Sequence, residues 1–334
     1  MADDAVGIRE VAPGVGALAV VAVVAHLLGT RLPYVNTLVL AVGFGVLLGN
    51  LVGLPDALRP GVDRHKLLLE TGIVLLGVSV SVERIVSSGP VVVALAIATV
   101  AFGLVFVEAL SRGVFSLPRR NGSLLAAGAS VCGVSAVAAV ARGIDADREA
   151  LAYAAGAILL FDAVTIVVFP AVGGLLGLRP EVFGVWAGLS MFSTGSVAAA
   201  GFAYSPIAGR WATITKLVRN ALIGVVATGY AVLYARRDGD GMGIGPREVW
   251  SEFPKFLVGF LVVAFVANAG LLSGATLATL GRAADWLFAL AFAGVGFSIR
   301  IDEMRSVGIT PIAVLFIYLL VVSALTLAAV SVLL

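Results

Sequence analysis

Eleven apolar runs joined by short turns leave this chain few folds. They are Pro13–Leu28, Asn36–Leu54, Lys66–Val82, Pro90–Leu110, Gly122–Ala141 and Glu149–Leu176. Val182–Phe202, Trp211–Ala235, Phe253–Leu272, Ala283–Ile301 and Val307–Leu334 follow. Such runs approach the roughly 20 residues that a helix needs to cross a bilayer. Only 13% of the 334 residues are charged, about half the share found in a soluble domain. In lipid every backbone polar group must be satisfied internally, which a helix achieves within one segment. The expectation is an all-α polytopic membrane protein of about 11 transmembrane helices. It forms one transmembrane domain over 1–334, with repeat-like halves at 36–176 and 182–334.

The same composition excludes several classes. Net charge is +2, and no basic patch or aromatic motif marks a nucleic-acid partner. A single cysteine, Cys132, rules out an internal disulfide, and the distant His26 and His65 make no metal cluster. No histidine stands where a serine nucleophile needs a base, and phosphate loops and paired carboxylates are missing, so no enzyme is expected. Met-Ala-Asp-Asp at the start lacks the basic region of a cleaved signal peptide, so the first run reads as a retained span.

Orientation follows from arginine and lysine in the loops. With eleven spans, fourteen lie on the side of the N-terminus: Arg9, Arg59, Arg64, Lys66, Arg112, Arg119, Arg120, Arg179, Arg236, Arg237, Arg247, Lys255, Arg300 and Arg305. Six lie opposite: Arg31, Arg84, Arg142, Arg148, Arg210 and Arg282. The chain is therefore expected in the cell membrane with its N-terminus cytoplasmic and its C-terminus outside.

Two stretches break the pattern of bulky apolar residues. Gly128-Ala-Ser-Val-Cys-Gly-Val-Ser135 and Ser190-Met-Phe-Ser-Thr-Gly-Ser196 are rich in small residues. Such residues fit a packing seam between helices. They equally fit a discontinuous helix, whose bared amides attract anions. Charges inside spans are costly and usually functional. Asp162 lies mid-span and either loads a proton, helps bind a cation, or pairs structurally with a neighbouring base. Lys216 and Arg219 share one helix face, with Asn220 beside them. Either they bind an anion or they snorkel and brace the bundle. Glu70 and Glu108 sit near span ends and read as structural.

An internal similarity points to repeats. Gly77–Gly89 aligns without gaps on Gly296–Gly308, with Gly77/Gly296, Ser79/Ser298, Ser87/Ser306 and Gly89/Gly308 identical and Glu83/Asp302 both acidic. In the eleven-span topology these copies run in opposite directions, as in an inverted-repeat transporter. Cys132-Gly133 and Thr194-Gly195 form a weaker pair, whose spans run in the same direction.

Several motifs together resemble the YeiH-type sulfate exporter family, over roughly Asn36 to the C-terminus. They are Gly72–Gly77, Cys132–Ala139, Phe183–Ser190, Val197–Gly201 and Ala212–Asn220. The resemblance implies the superfamily of sodium–proton antiporters and bile-acid sodium symporters, with inverted repeats and two discontinuous helices. The chain departs from the family where Val134 replaces a glycine, and where Phe192, Ser193 and Ser196 replace a histidine, an acid and a glutamine.

These readings converge on a secondary transporter, an exporter of a small anionic solute such as sulfate, working by alternating access. The expected solute contacts are Cys132, Gly133, Ser135, Ser193, Thr194, Gly195, Ser196, Lys216 and Arg219, with Asp162 in coupling. No cofactor is expected beyond a coupling ion, H+ or Na+, and a homodimer is compatible with the sequence. The rivals are a cation-coupled symporter of an organic acid and a membrane protein that transports nothing.

Overall fold

Helix is the only regular structure among the described residues, which in this computed structural model are 7–31, 36–79, 82–238, 253–300 and 308–334. Contacts divide the chain into two units, Met1–Glu83 with Phe256–Ile301, and Arg84–Lys255 with Asp302–Leu334. Among the described residues, six helices are long and apolar enough to cross a membrane. Many of their outward residues are bare valine, leucine and phenylalanine, such as Val105 and Phe316, as a lipid-facing surface requires.

The first unit contains α1 (Ile8–Gly29), α2 (Thr37–Leu51), the short α3 (Arg59–Val62) and α4 (His65–Leu76), extended by a 3-10 turn at Gly77–Ser79. After the second unit, chain order resumes here with helices at Lys255–Asn268 and Gly274–Ser298. Glycine pairs set its packing distances. A Cβ at Gly45 would strike the Ala293 carbonyl and lie 2.9 Å from the Gly296 Cα. Gly77 lies equally close to the Phe260 carbonyl, 2.7 Å from where its Cβ would stand. The start of each aligned copy, Gly77 and Gly296, is thus a point of close helix approach. Residues 80–81 and 301–307, including Asp302, lie outside the described residues, as does the side chain of Glu83.

The second unit contains α5 (Val82–Ala109) with a π-helical turn at Leu110–Val114, α6 (Arg119–Ser130), α7 (Val134–Gly143) and α8 (Arg148–Leu175). There follow α9 (Pro180–Ser190), α10 (Thr194–Tyr204), α11 (Pro206–Asn220) and α12 (Ile223–Asp238). With the two helices of the first unit as α13 and α14, the last is α15 (Ile309–Leu333). Asp147 caps α8 by accepting from the Ala150 amide at 2.7 Å, and Ser205 caps α11 through the Ala208 amide at 3.0 Å. Each cap satisfies one otherwise bare amide of a first turn.

Within the described residues each of the eleven apolar runs is mainly helical, and the fifth and seventh break where small residues predict. The breaks, however, do not leave helices that continue across the membrane. Gly184 and Gly201 both lie against the Ala208 carbonyl, 2.5 and 3.2 Å from where their Cβ atoms would stand. A straight helix would hold residues that far apart in sequence about 25 Å from each other. The chain therefore folds back, and α9–α10 is a helical hairpin. In α6–α7 the Cβ position of Gly128 lies 2.7 Å from Val137, where a straight helix would give about 13 Å. Both runs are discontinuous as expected, but each folds back on itself instead of continuing as one straight helix.

The long helices show how the hairpins are placed. Pro206–Arg236, α11 continued by α12, is one apolar helix of 31 residues. Its beginning packs on the base of α9–α10 at Gly184 and Gly201. Its far end meets the base of α6, where Tyr234 bonds Ser123 at 3.0 Å. In α8, Ile158 packs on Gly128, whereas Gly173 meets Phe183 and Tyr204 at the base of the second hairpin. The hairpins thus enter from opposite ends of the unit and meet at its middle.

Candidate solute site at the hairpin tips

The tip of the first hairpin is Val131-Cys132-Gly133. Gly133 has φ 73°, a left-handed conformation that costs a residue with a Cβ. That Cβ would also stand 3.1 Å from the Ser193 Cα. Glycine is therefore required twice, by the turn and by the second tip, Met191-Phe192-Ser193. The Gly133 carbonyl starts α7 by accepting from the Ala136 and Val137 amides, and the Ser193 carbonyl starts α10 through the Val197 amide.

Four half-helices consequently present their ends at one place. The carbonyl ends of α6 and α9 converge on Arg219. Its Nε donates to the Ser130 carbonyl at 3.1 Å, and Nη2 donates to Ala129 and Ser130 at 2.9 and 2.8 Å. Nη1 donates to Gly188, Leu189 and Met191 at 3.0, 2.6 and 2.8 Å. Lys216 Nζ adds a bond to the Met191 carbonyl at 3.0 Å. Both side chains are 0% exposed. Helix C-termini carry partial negative charge, so the two cations and the two helix ends stabilise one another. Lys216 and Arg219 thus face backbone rather than an open cavity, the arrangement of the bracing alternative.

The amide ends of α7 and α10 lie on the other side of the tips. At α10 the carboxylate of Asp162 accepts from the Ser193 amide at 3.1 Å and from the Ser196 hydroxyl at 2.6 Å. Among the described residues Asp162 makes no ion pair, although Lys216 is near enough to act on it through its charge. Thr194 opens α10, and its hydroxyl accepts from Asn220 Nδ2 at 2.9 Å. The other polar atom of that amide, Oδ1, is buried without a partner. At α7 the described hydrogen bonds give the Val134 and Ser135 amides no acceptor. Ser135 is exposed and Val134, Ser193, Thr194 and Gly195 half-exposed, while Cys132, Gly133 and Ser196 are buried. The expected residues therefore separate into amide ends that are partly exposed and basic side chains buried behind them.

Sequence reading had set aside a second polar cluster, at the base of the first hairpin. Arg112 pairs with Glu108 at 2.6 Å, and Ser123 donates to Glu108 at 2.6 Å while Arg112 bonds Ser123 at 3.1 Å. The cluster ties α6 to α5, and through Tyr234 to α12. Its only sequence signal is the Glu108/Arg112 spacing of one helical turn.

Fold and site together define a polytopic helical membrane protein whose second unit holds two opposed helical hairpins. The chain belongs to the family described as conserved hypothetical protein 698, whose profile matches residues 13–315. A UPF0324 membrane protein of Nitratidesulfovibrio vulgaris is 31% identical over 90% of this chain and 88% of its own length. UPF0324 membrane proteins of Agrobacterium fabrum and Corynebacterium glutamicum are 31% and 29% identical, over 82% and 96% of this chain and 78% and 92% of theirs. No solved structure matches.

Proposed function

We propose that the protein is a secondary transporter of a small anionic solute, held at the amide ends of α7 and α10. One observation carries this reading. Two hairpins meet mid-way along full-length helices and leave half-exposed helix N-termini there, and such ends favour anions. Amide ends near the bilayer centre recur at the solute sites of secondary transporters. The opposed entry of the hairpins is what inverted repeats produce, and the YeiH-type resemblance makes sulfate the first solute to test. Lys216 and Arg219 act behind the site, holding the carbonyl ends so that the amide ends face the solute.

The test is sulfate efflux from liposomes containing the purified chain. The expected result is saturable efflux, competed by other small oxyanions and lost when Ser135→Leu covers the α7 amides. A second reading is symport of an organic acid with sodium, for which Asp162 and the unpartnered Asn220 oxygen offer hard ligands. Organic-acid uptake that requires a sodium gradient, with no sulfate flux, would favour it.

A further inference from the structure

Asp162 occupies the place where a solute is expected. Its carboxylate sits at the amide end of α10 and takes the Ser193 amide and the Ser196 hydroxyl, with the Ser193 hydroxyl also acting on it. A small oxyanion would take the same pair. Beside it the Asn220 amide, 4% exposed, is hooked on Thr194 and keeps one polar atom unpartnered. The two ends of such an amide exchange on a half-turn. Turned over, Asn220 would accept from the Thr194 hydroxyl at the start of α10 and present an N–H where the unpartnered oxygen now stands. The site thus has donors for an external anion, and an internal anion already in place.

We propose that Asp162 is a tethered occupant of the solute site, displaced from the α10 donors only when it takes up a proton. This rests on the anion-transport reading above. In the empty site the carboxylate is ionised and bound to Ser193 and Ser196. In the loaded site a proton from water has joined the carboxylate, and the anion has taken the vacated donors. For a monovalent anion the two states carry the same net charge, so the buried site is never left with an extra charge to desolvate. Proton and anion therefore move together.

The groups facing Asp162 are consistent with this exchange. From α10 come Ser193 and Ser196, and its own helix contributes Thr165, which bonds the Asp162 carbonyl. The charge acting on it from α11 is Lys216, itself influenced by Arg219 and Cys132. Because Lys216 and Arg219 are held by carbonyls, neither must move when the carboxylate does.

Formate and nitrate, planar anions with the bite of a carboxylate, are the probes. Their binding to the detergent-purified chain is measured by calorimetry from pH 5.5 to 8.5. Binding is strongest at the lowest pH, where protonating Asp162 costs least. It weakens about tenfold per pH unit once the carboxylate ionises, since each anion brings one proton. Asp162→Asn removes the competitor, so its affinity is independent of pH and at pH 8.5 at least tenfold tighter than wild type. Ser196→Ala in that background weakens binding again. Weaker binding by Asp162→Asn at every pH, or a retained pH slope, overturns the proposal. Should Asp162→Asn not fold, calorimetry of the wild type in buffers of different ionisation enthalpy decides. One proton taken up per anion at pH 8.5 supports the exchange, and none at that pH overturns it. Anion binding without proton uptake sinks the exchange alone, whereas no anion binding at any pH sinks the transport reading.

Discussion

Arg219 is the residue on which the two hairpins most visibly depend. Its five N–H donors reach the final carbonyls of two different helices, groups that a helix cannot satisfy for itself. Lysine offers three donors from one point and cannot span both ends. Arg219→Lys is therefore expected to fold with a lowered melting temperature. Arg219→Ala should lose on the order of 3–5 kcal/mol, since it leaves buried acceptors facing a cavity. Thermal unfolding in detergent checks both, and a wild-type melting temperature in Arg219→Ala would show that these carbonyls have other partners. The sequence marked Lys216 and Arg219 as costly charges in an apolar run. It did not disclose their partners, because those are backbone carbonyls 25 to 90 positions away, and carbonyls have no residue type.

At the scale of elements, the break positions were legible and the path after each break was not. A run of about 20 apolar residues fits one span or two half-helices equally well. The arms here have 12 and 10 residues in the first hairpin and 11 and 11 in the second, or about 15 to 18 Å each. That is about half of a 30 Å hydrocarbon core, so an arm of this length suffices for half a crossing and not a whole one. The fold-back also removes the difficulty that the two broken runs point the same way, because re-entrant hairpins need not cross. In a Cys132→Ala background, cysteines at Arg120 and Arg142 should react with an impermeant maleimide from one face of the membrane. Cysteines at Arg179 and Ser205 should react from the other. Labelling of 120 and 142 from opposite faces would restore the spanning helix.

Over the whole chain, re-entrant hairpins change which loops share a face. The link from α7 to α8, with Arg142 and Arg148, joins the side of Arg119 and Arg120, whereas the α8–α9 link with Arg179 changes sides. On the side of the N-terminus the count of arginine and lysine becomes fifteen, with five opposite: Arg31, Arg84, Arg179, Arg210 and Arg282. The bias that retains positive loops in the cytoplasm is thus stronger for the hairpin topology than for eleven spans. With α1, α2, α4, α5, α8, α11–α12, α13, α14 and α15 crossing, the number of crossings is still odd. Both topologies then put the termini on opposite faces and leave α13, α14 and α15 between Gly241 and Leu334, so labelling these two positions tests orientation without regard to the hairpins. A cysteine at Leu334 is expected to react from outside intact cells and one at Gly241 only after permeabilisation. Reaction at Gly241 alone would invert the molecule. Reaction at both would make the number of crossings between them even, which no arrangement of the two hairpins accounts for.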